Sequence, residues 1–261
     1  MKKGQIVCII IISLVIFNFT SFSNNGYPIT NDDPLKTNVD KELLISELKE
    51  KIPELMDKAL IPGMSFALIR NGKIEWLHEF GVKNADTGEP VKVDTIFEAA
   101  SLGKPVYTYG VMKLVEEGKL DLDIPLLDIV SREYLEGVNP AYKTNDERFT
   151  KITARHVLTH STGFPNWFSN NEFSMNFEPG EKFSYSGEAF SLLAEVVVKI
   201  TGKSLVDFTQ EYIFVPLGME DSCYIWRDDF EGRFASSHDT MGKVTPRGKN
   251  SDPLPGAASL S

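Results

Sequence analysis

Ser101 and Lys104 are the residues of this chain best suited to covalent chemistry. They follow the run Phe97-Glu98-Ala99-Ala100 and precede a segment, 105–117, with helical spacing of its apolar residues. Positions i and i+3 share one helix face, so a helix beginning here sets the Lys104 amine beside the Ser101 hydroxyl. A serine hydroxyl is a weak nucleophile until a neighbouring base takes its proton. A lysine amine can be that base when burial or nearby positive charge favours its neutral form. The pattern is short, and about one copy is expected by chance in a chain of this length. A second copy, Ser46 to Lys49, falls in a charged amphipathic stretch and reads as a solvated helix face.

Other chemistry-bearing residues are fewer. Tyr185, in Phe183-Ser184-Tyr185-Ser186-Gly187, reads by itself as a tyrosine whose hydroxyl is satisfied in the interior. It can act as a base only if positive charge stabilises its phenolate. His156 and His160 lie four apart in a short helical stretch, a spacing that can hold a metal. No carboxylate or third histidine stands at matching spacing, so neither a metal nor a cofactor is expected. His78 and His238 have no partner identifiable from the sequence.

The elements that must position these groups can be read from the apolar pattern. Residues 40–60 have helical spacing, with Asp40 as N-cap. Runs 63–70 and 73–81 flank Asn71-Gly72, the strongest short signal for a hairpin. A third extended piece, 95–99, would deliver the chain to Ser101. Helical stretches follow at 105–117, ended by Gly118, and at 121–130, while 137–149 reads as a polar exposed loop. Thr153 caps a short helix over 152–160. The stretch 166–180 holds Trp167, Phe168, Phe173 and Phe177, and fits a pocket wall and surface packing equally well. Apolar helices at 188–200 and 204–213 precede a polar, loop-rich region, 228–250. The expected class is α/β in the α+β sense: helices packed on an antiparallel sheet.

The chain has 261 residues, 42% of them hydrophobic, and a formal charge of −10. That composition is globular, and the acidic balance excludes nucleic acid as an expected partner. Lys2 and Lys3 precede an apolar run, 6–17, and the triplet Ser21-Phe22-Ser23. This is the pattern of a secretory signal over 1–23, followed by a polar leader, 24–39, and a single domain, 40–261. The expected location is periplasmic or secreted, with an uncleaved membrane anchor as the alternative. Cys8 lies in the apolar run, so Cys223 would be alone after cleavage and reads as a buried small hydrophobe.

Four segments in order resemble the serine β-lactamase and penicillin-binding protein superfamily, in particular its class C β-lactamase, D-alanyl-D-alanine carboxypeptidase and esterase branch. They are Phe97 to Lys104; Thr153-Ala154-Arg155-His156-Val157-Leu158-Thr159-His160-Ser161-Thr162-Gly163; Phe177-Glu178-Pro179-Gly180 through Tyr185-Ser186-Gly187; and Pro216-Leu217-Gly218-Met219. The resemblance implies a β-lactamase-like fold and a hydrolase that acylates Ser101, with Lys104 and Tyr185 sharing the proton transfers. It implies a small-molecule or peptide acyl substrate: a β-lactam, a D-amino-acid peptide or an ester. Cell-wall association and oligomeric state stay open. Two departures qualify it. Gly187, at a substrate-binding place, stands where that family has asparagine, which leaves ester substrates more open. A late Lys- or His-x-Gly strand has no match before Ser261, so the sheet is expected to lack its C-terminal strands and the domain to be C-terminally truncated. The alternative function is an impaired or non-catalytic cell-wall or peptide-binding relative.

Overall fold

The structure is a computed structural model and describes residues 40–245. The expected signal and leader and the small apolar C-terminal stretch lie outside the described residues. Contacts divide the described chain into two units, 40–95 with 234–245, and 96–233.

The first unit opens with α1 (Lys41–Ala59), where Asp40 accepts from the Glu42 N–H as the sequence predicts. The chain then forms β1 (Gly63–Arg70) and β2 (Lys73–Asn84), paired antiparallel. Asn71 and Gly72 both take positive φ, 54° and 70°, as a two-residue turn matched to strand twist requires. Ile52 and Met56 of α1 join Phe66 and Phe80 in a small core. One expectation fails here. Residues 95–99 form no strand, and the third strand is the two-residue β3 (Glu89–Pro90) beside β2. Pro90 has no N–H to donate, which suits a short edge.

The second unit is helical. A 3₁₀ turn (Ala100–Leu102) runs directly into α2 (Gly103–Glu116), two residues earlier than the spacing predicts. Pro105 still fits, because N–H groups of a first turn have no intrahelical acceptor. Short α3 (Leu126–Ile129) and α4 (Arg132–Val138) follow, then α5 (Ala154–Leu158), the long α6 (Gly187–Thr201), and α7 (Leu205–Thr209). Only 126–129 of the expected 121–130 helix forms. The expected 204–213 helix is α7 continued by a wider turn at 210–214, then α8 (Val215–Leu217).

Tyr107, Val111 and Leu114 of α2 are fully buried with Leu192, Leu193, Val196 and Val197 of α6 and with Phe208. Each such side chain contributes roughly 1.5–3 kcal/mol, so α2, α6 and α7 share one core. Gly110 lets the 210–214 turn approach α2: a Cβ there would lie 2.8 Å from Ile213 Cδ1. Residues 137–149 are not the exposed loop expected. Tyr142 and Phe149 are buried and stacked, with centroids 5.8 Å apart. Isolated aromatic anchors in a polar stretch leave no periodicity to read.

Candidate active site

The start of α2 brings Ser101 and Lys104 together. Lys104 Nζ donates to Ser101 Oγ at 3.0 Å. The hydroxyl belongs to an exposed residue and the amine to one only 4% exposed. Ala100, immediately before the serine, holds φ at 45°, a conformation costly for a residue with a Cβ. Tyr224 Oη bonds the Gly103 carbonyl at 2.7 Å, tying this helix start to the interior.

Tyr185 reaches the same amine across the unit. Lys104 Nζ lies 4.8 Å from the centroid of the Tyr185 ring and 5.7 Å from that of Phe190. A cation at such a distance is attracted by the electron-rich ring face. The strap 184–187 that carries the tyrosine is bound at every residue around it. Ser184 N–H donates to the His160 carbonyl at 2.7 Å, and Ser186 N–H to His160 Nδ1 at 3.1 Å. Ser186 Oγ donates to the Pro165 carbonyl at 2.7 Å and caps α6 by accepting from Ala189 N–H. The three residues expected at one site therefore lie together.

Gly187 is held by its neighbours on both sides. Its N–H is bonded to both the carbonyl and the side-chain oxygen of Asn166. The Trp167 indole lies against its Cα, so that a Cβ would stand 2.6 Å from Cη2. Glycine is required here to admit the ring, and what this place offers to solvent is the half-exposed indole. The aromatic stretch 166–180 is held by ring packing. Phe168 and Phe173 pack with Phe164 at 5.2–5.4 Å, anchoring the loop, while Trp167 stands beside the strap.

The two histidines have separate partners. His156 Nδ1 accepts from Thr153 N–H while Thr153 Oγ1 accepts from His156 N–H, a reciprocal cap of α5. His160 stacks on Tyr185, with centroids 4.4 Å apart and planes 29° apart. Burial pushes its imidazole below the ordinary value, and the Lys104 charge acts in the same direction. Sequence reasoning places His160 in a supporting segment and misses its contact with Tyr185. Spacing carries no signal for that contact, because the two residues belong to different segments.

The Beta-lactamase family matches residues 48–260. The chain belongs to the β-lactamase family. It is 32% identical to penicillin-binding protein 4* of Bacillus subtilis over 173 residues, 58% of this chain and 35% of that protein. It is 25% identical to the esterase EstB of Burkholderia gladioli over 222 residues, 74% of this chain and 55% of that one. The chain thus spans about a third to a little over half the length of these curated relatives. Among solved structures, a class C β-lactamase superposes with a TM-score of 0.72 at 23% identity, covering 85% of this chain and 62% of that one. The D-alanine carboxypeptidase AmpC of Burkholderia cenocepacia gives 0.69 at 21% identity, covering 85% and 61%. The β-lactamase-like fold expected from the motifs, helical with a small antiparallel sheet, is the fold found.

Proposed function

We propose that this protein is an exported serine hydrolase of the β-lactamase family that forms an acyl-enzyme on Ser101. The observation that carries the reading is the exposed Ser101 hydroxyl set 3.0 Å from the buried Lys104 amine, with the Tyr185 ring over that amine. Lys104 and Tyr185 share the proton transfer as Ser101 Oγ bonds to the substrate carbonyl carbon. The Ser101 N–H, at the opening of a helix, donates to the oxyanion that develops. The leaving group departs with that proton. Water then attacks the ester on Ser101, releasing the acid and restoring the hydroxyl.

The substrate is an acyl compound: an ester, a D-amino-acid peptide or a β-lactam. Gly187 and the Trp167 indole over it present an apolar, aromatic surface where an amide side chain would otherwise bind polar groups, which favours an ester. Gly187 equally supports the second reading, a cell-wall peptide-binding relative without turnover. Export rests on Lys2, Lys3 and the apolar run 6–17.

Intact mass after incubation with a fluorophosphonate or a penicillin tests the reading. The expected result is an adduct on wild type that is absent from Ser101→Ala. No adduct with either reagent would favour binding alone. An adduct that never turns over would indicate acylation without deacylation.

A further inference from the structure

We propose that His160 is a positioning residue that holds Tyr185 over Lys104, and that it does so only as the neutral imidazole protonated on Nε2. The proposal rests on the acyl-enzyme reading of Ser101.

His160 grips the tyrosine from three sides. Its carbonyl accepts from the N–H of residue 184, its Nδ1 accepts from the N–H of residue 186, and its ring lies on the ring of residue 185 between them. One residue thus binds the backbone on both flanks of Tyr185 and packs on its side chain. His160 itself is held at a φ of 53°, a left-handed conformation that a residue other than glycine adopts at a cost. That backbone aims the carbonyl and the ring at the same strap.

The bond from Ser186 fixes the tautomer. A ring nitrogen that accepts an N–H carries no proton, so in the neutral ring the proton is on Nε2. Protonation would place an N–H on Nδ1, directly facing the Ser186 N–H, and two donors cannot share that hydrogen bond. The surroundings disfavour the cation as well. Lys104, from the start of α2, contributes positive charge, Tyr185 is the titratable group in contact, and Phe183 and Phe190 supply apolar faces at 5.7 and 5.1 Å. Below the titration of His160 the strap must therefore loosen and Tyr185 must leave its place over the amine. The consequence is a break in the pH–rate profile at the titration of His160.

The test combines NMR with labelling of the full chain by a fluorophosphonate. In wild type, ¹⁵N-resolved imidazole spectra should show His160 as the Nε2–H tautomer, titrating below about 6.5, the ordinary histidine value. The labelling rate at Ser101 should fall more steeply with acid below that same midpoint. In His160→Asn the side-chain oxygen takes the place of Nδ1 and does not titrate, and asparagine tolerates positive φ. This variant should label within about tenfold of wild type at alkaline pH and lack the acid break, since the acceptor is kept. His160→Phe keeps the ring but not the acceptor, and should label roughly 100-fold more slowly at every pH, the scale of a misplaced group. An Nδ1–H tautomer, an acid break that persists in His160→Asn, or wild-type labelling by His160→Phe overturns the proposal. Wild type that is unlabelled at every pH instead overturns the acyl-enzyme reading, and the role of His160 with it.

Discussion

Tyr224 Oη donates to the carbonyl of Gly103, two residues beyond Ser101, from 121 positions further along the chain. Both groups are buried, so the bond is made away from water and has no solvent substitute. It pins the first turn of α2, and with it the serine and the lysine, to the interior. Tyr224→Phe should therefore lower stability by about 0.5–1.5 kcal/mol, the net worth of one hydrogen bond, since the Gly103 carbonyl keeps its acceptor role inside α2. Urea denaturation reads the loss. A several-fold fall in Ser101 labelling under conditions where the variant is fully folded would show that the tether also serves the site.

Lys104 gives a sharper separation of fold from chemistry. Its side chain is buried, and methionine fills a similar volume without an amine. Lys104→Met should fold with an unchanged far-ultraviolet spectrum and label about 10²–10⁴-fold more slowly, the usual contribution of a positioned base. Labelling at the wild-type rate would remove Lys104 from the proton path.

Gly187 and Trp167 form a coupled pair. Gly187→Ala places a methyl group 2.6 Å from the indole, so the ring must swing out or the strap must shift. A loss of about 1–3 kcal/mol is expected, as for other overpacked sites. In a Trp167→Ala background the same substitution should cost far less. A double-mutant cycle in urea should return a coupling of about 1 kcal/mol or more, and additivity would contradict the packing argument.

Glu188 provides a pH-dependent test. It lies at the start of α6, only 8% exposed, and accepts from Tyr142 Oη and Asn139 Nδ2 at 3.3 Å. Burial raises its carboxyl above the ordinary value near 4.5, against smaller opposing effects from the Phe168 N–H and the Tyr142 hydroxyl. An acid with a raised folded-state value binds its proton more tightly when folded. Its stabilising contribution is complete below about 4.5 and is lost as pH rises through the higher folded value. Glu188→Gln keeps an acceptor for both donors and carries no charge. The stability of the variant relative to wild type should therefore rise from pH 4 to pH 8 in urea titrations. A flat difference would show that the buried carboxylate is fully compensated.

The legible parts of this protein are those governed by neighbours in sequence. Asp40 and Thr153 cap the helices they were expected to cap, because a cap bonds a backbone N–H only two or three residues away. The hairpin at Asn71-Gly72 was readable because its turn needs two residues tolerant of positive φ. The expected strand over 95–99 was not found, and Tyr142 and Phe149 were misread as exposed. A short extended run has no preferred state until a partner strand reaches it, and a lone aromatic residue is drawn inside only by other elements.

The same division runs through the site. Sequence by itself set the Ser101 hydroxyl beside the Lys104 amine, because three residues of helix bring their side chains to one face whatever surrounds them. Burial of that amine, the Tyr185 ring above it, the grip of His160 on the tyrosine and the indole over Gly187 were decided by tertiary structure alone. Each of these joins segments separated along the chain. The shared core that buries residues of α2, α6 and α7 supplies the physical reason: it holds these separate segments against one another.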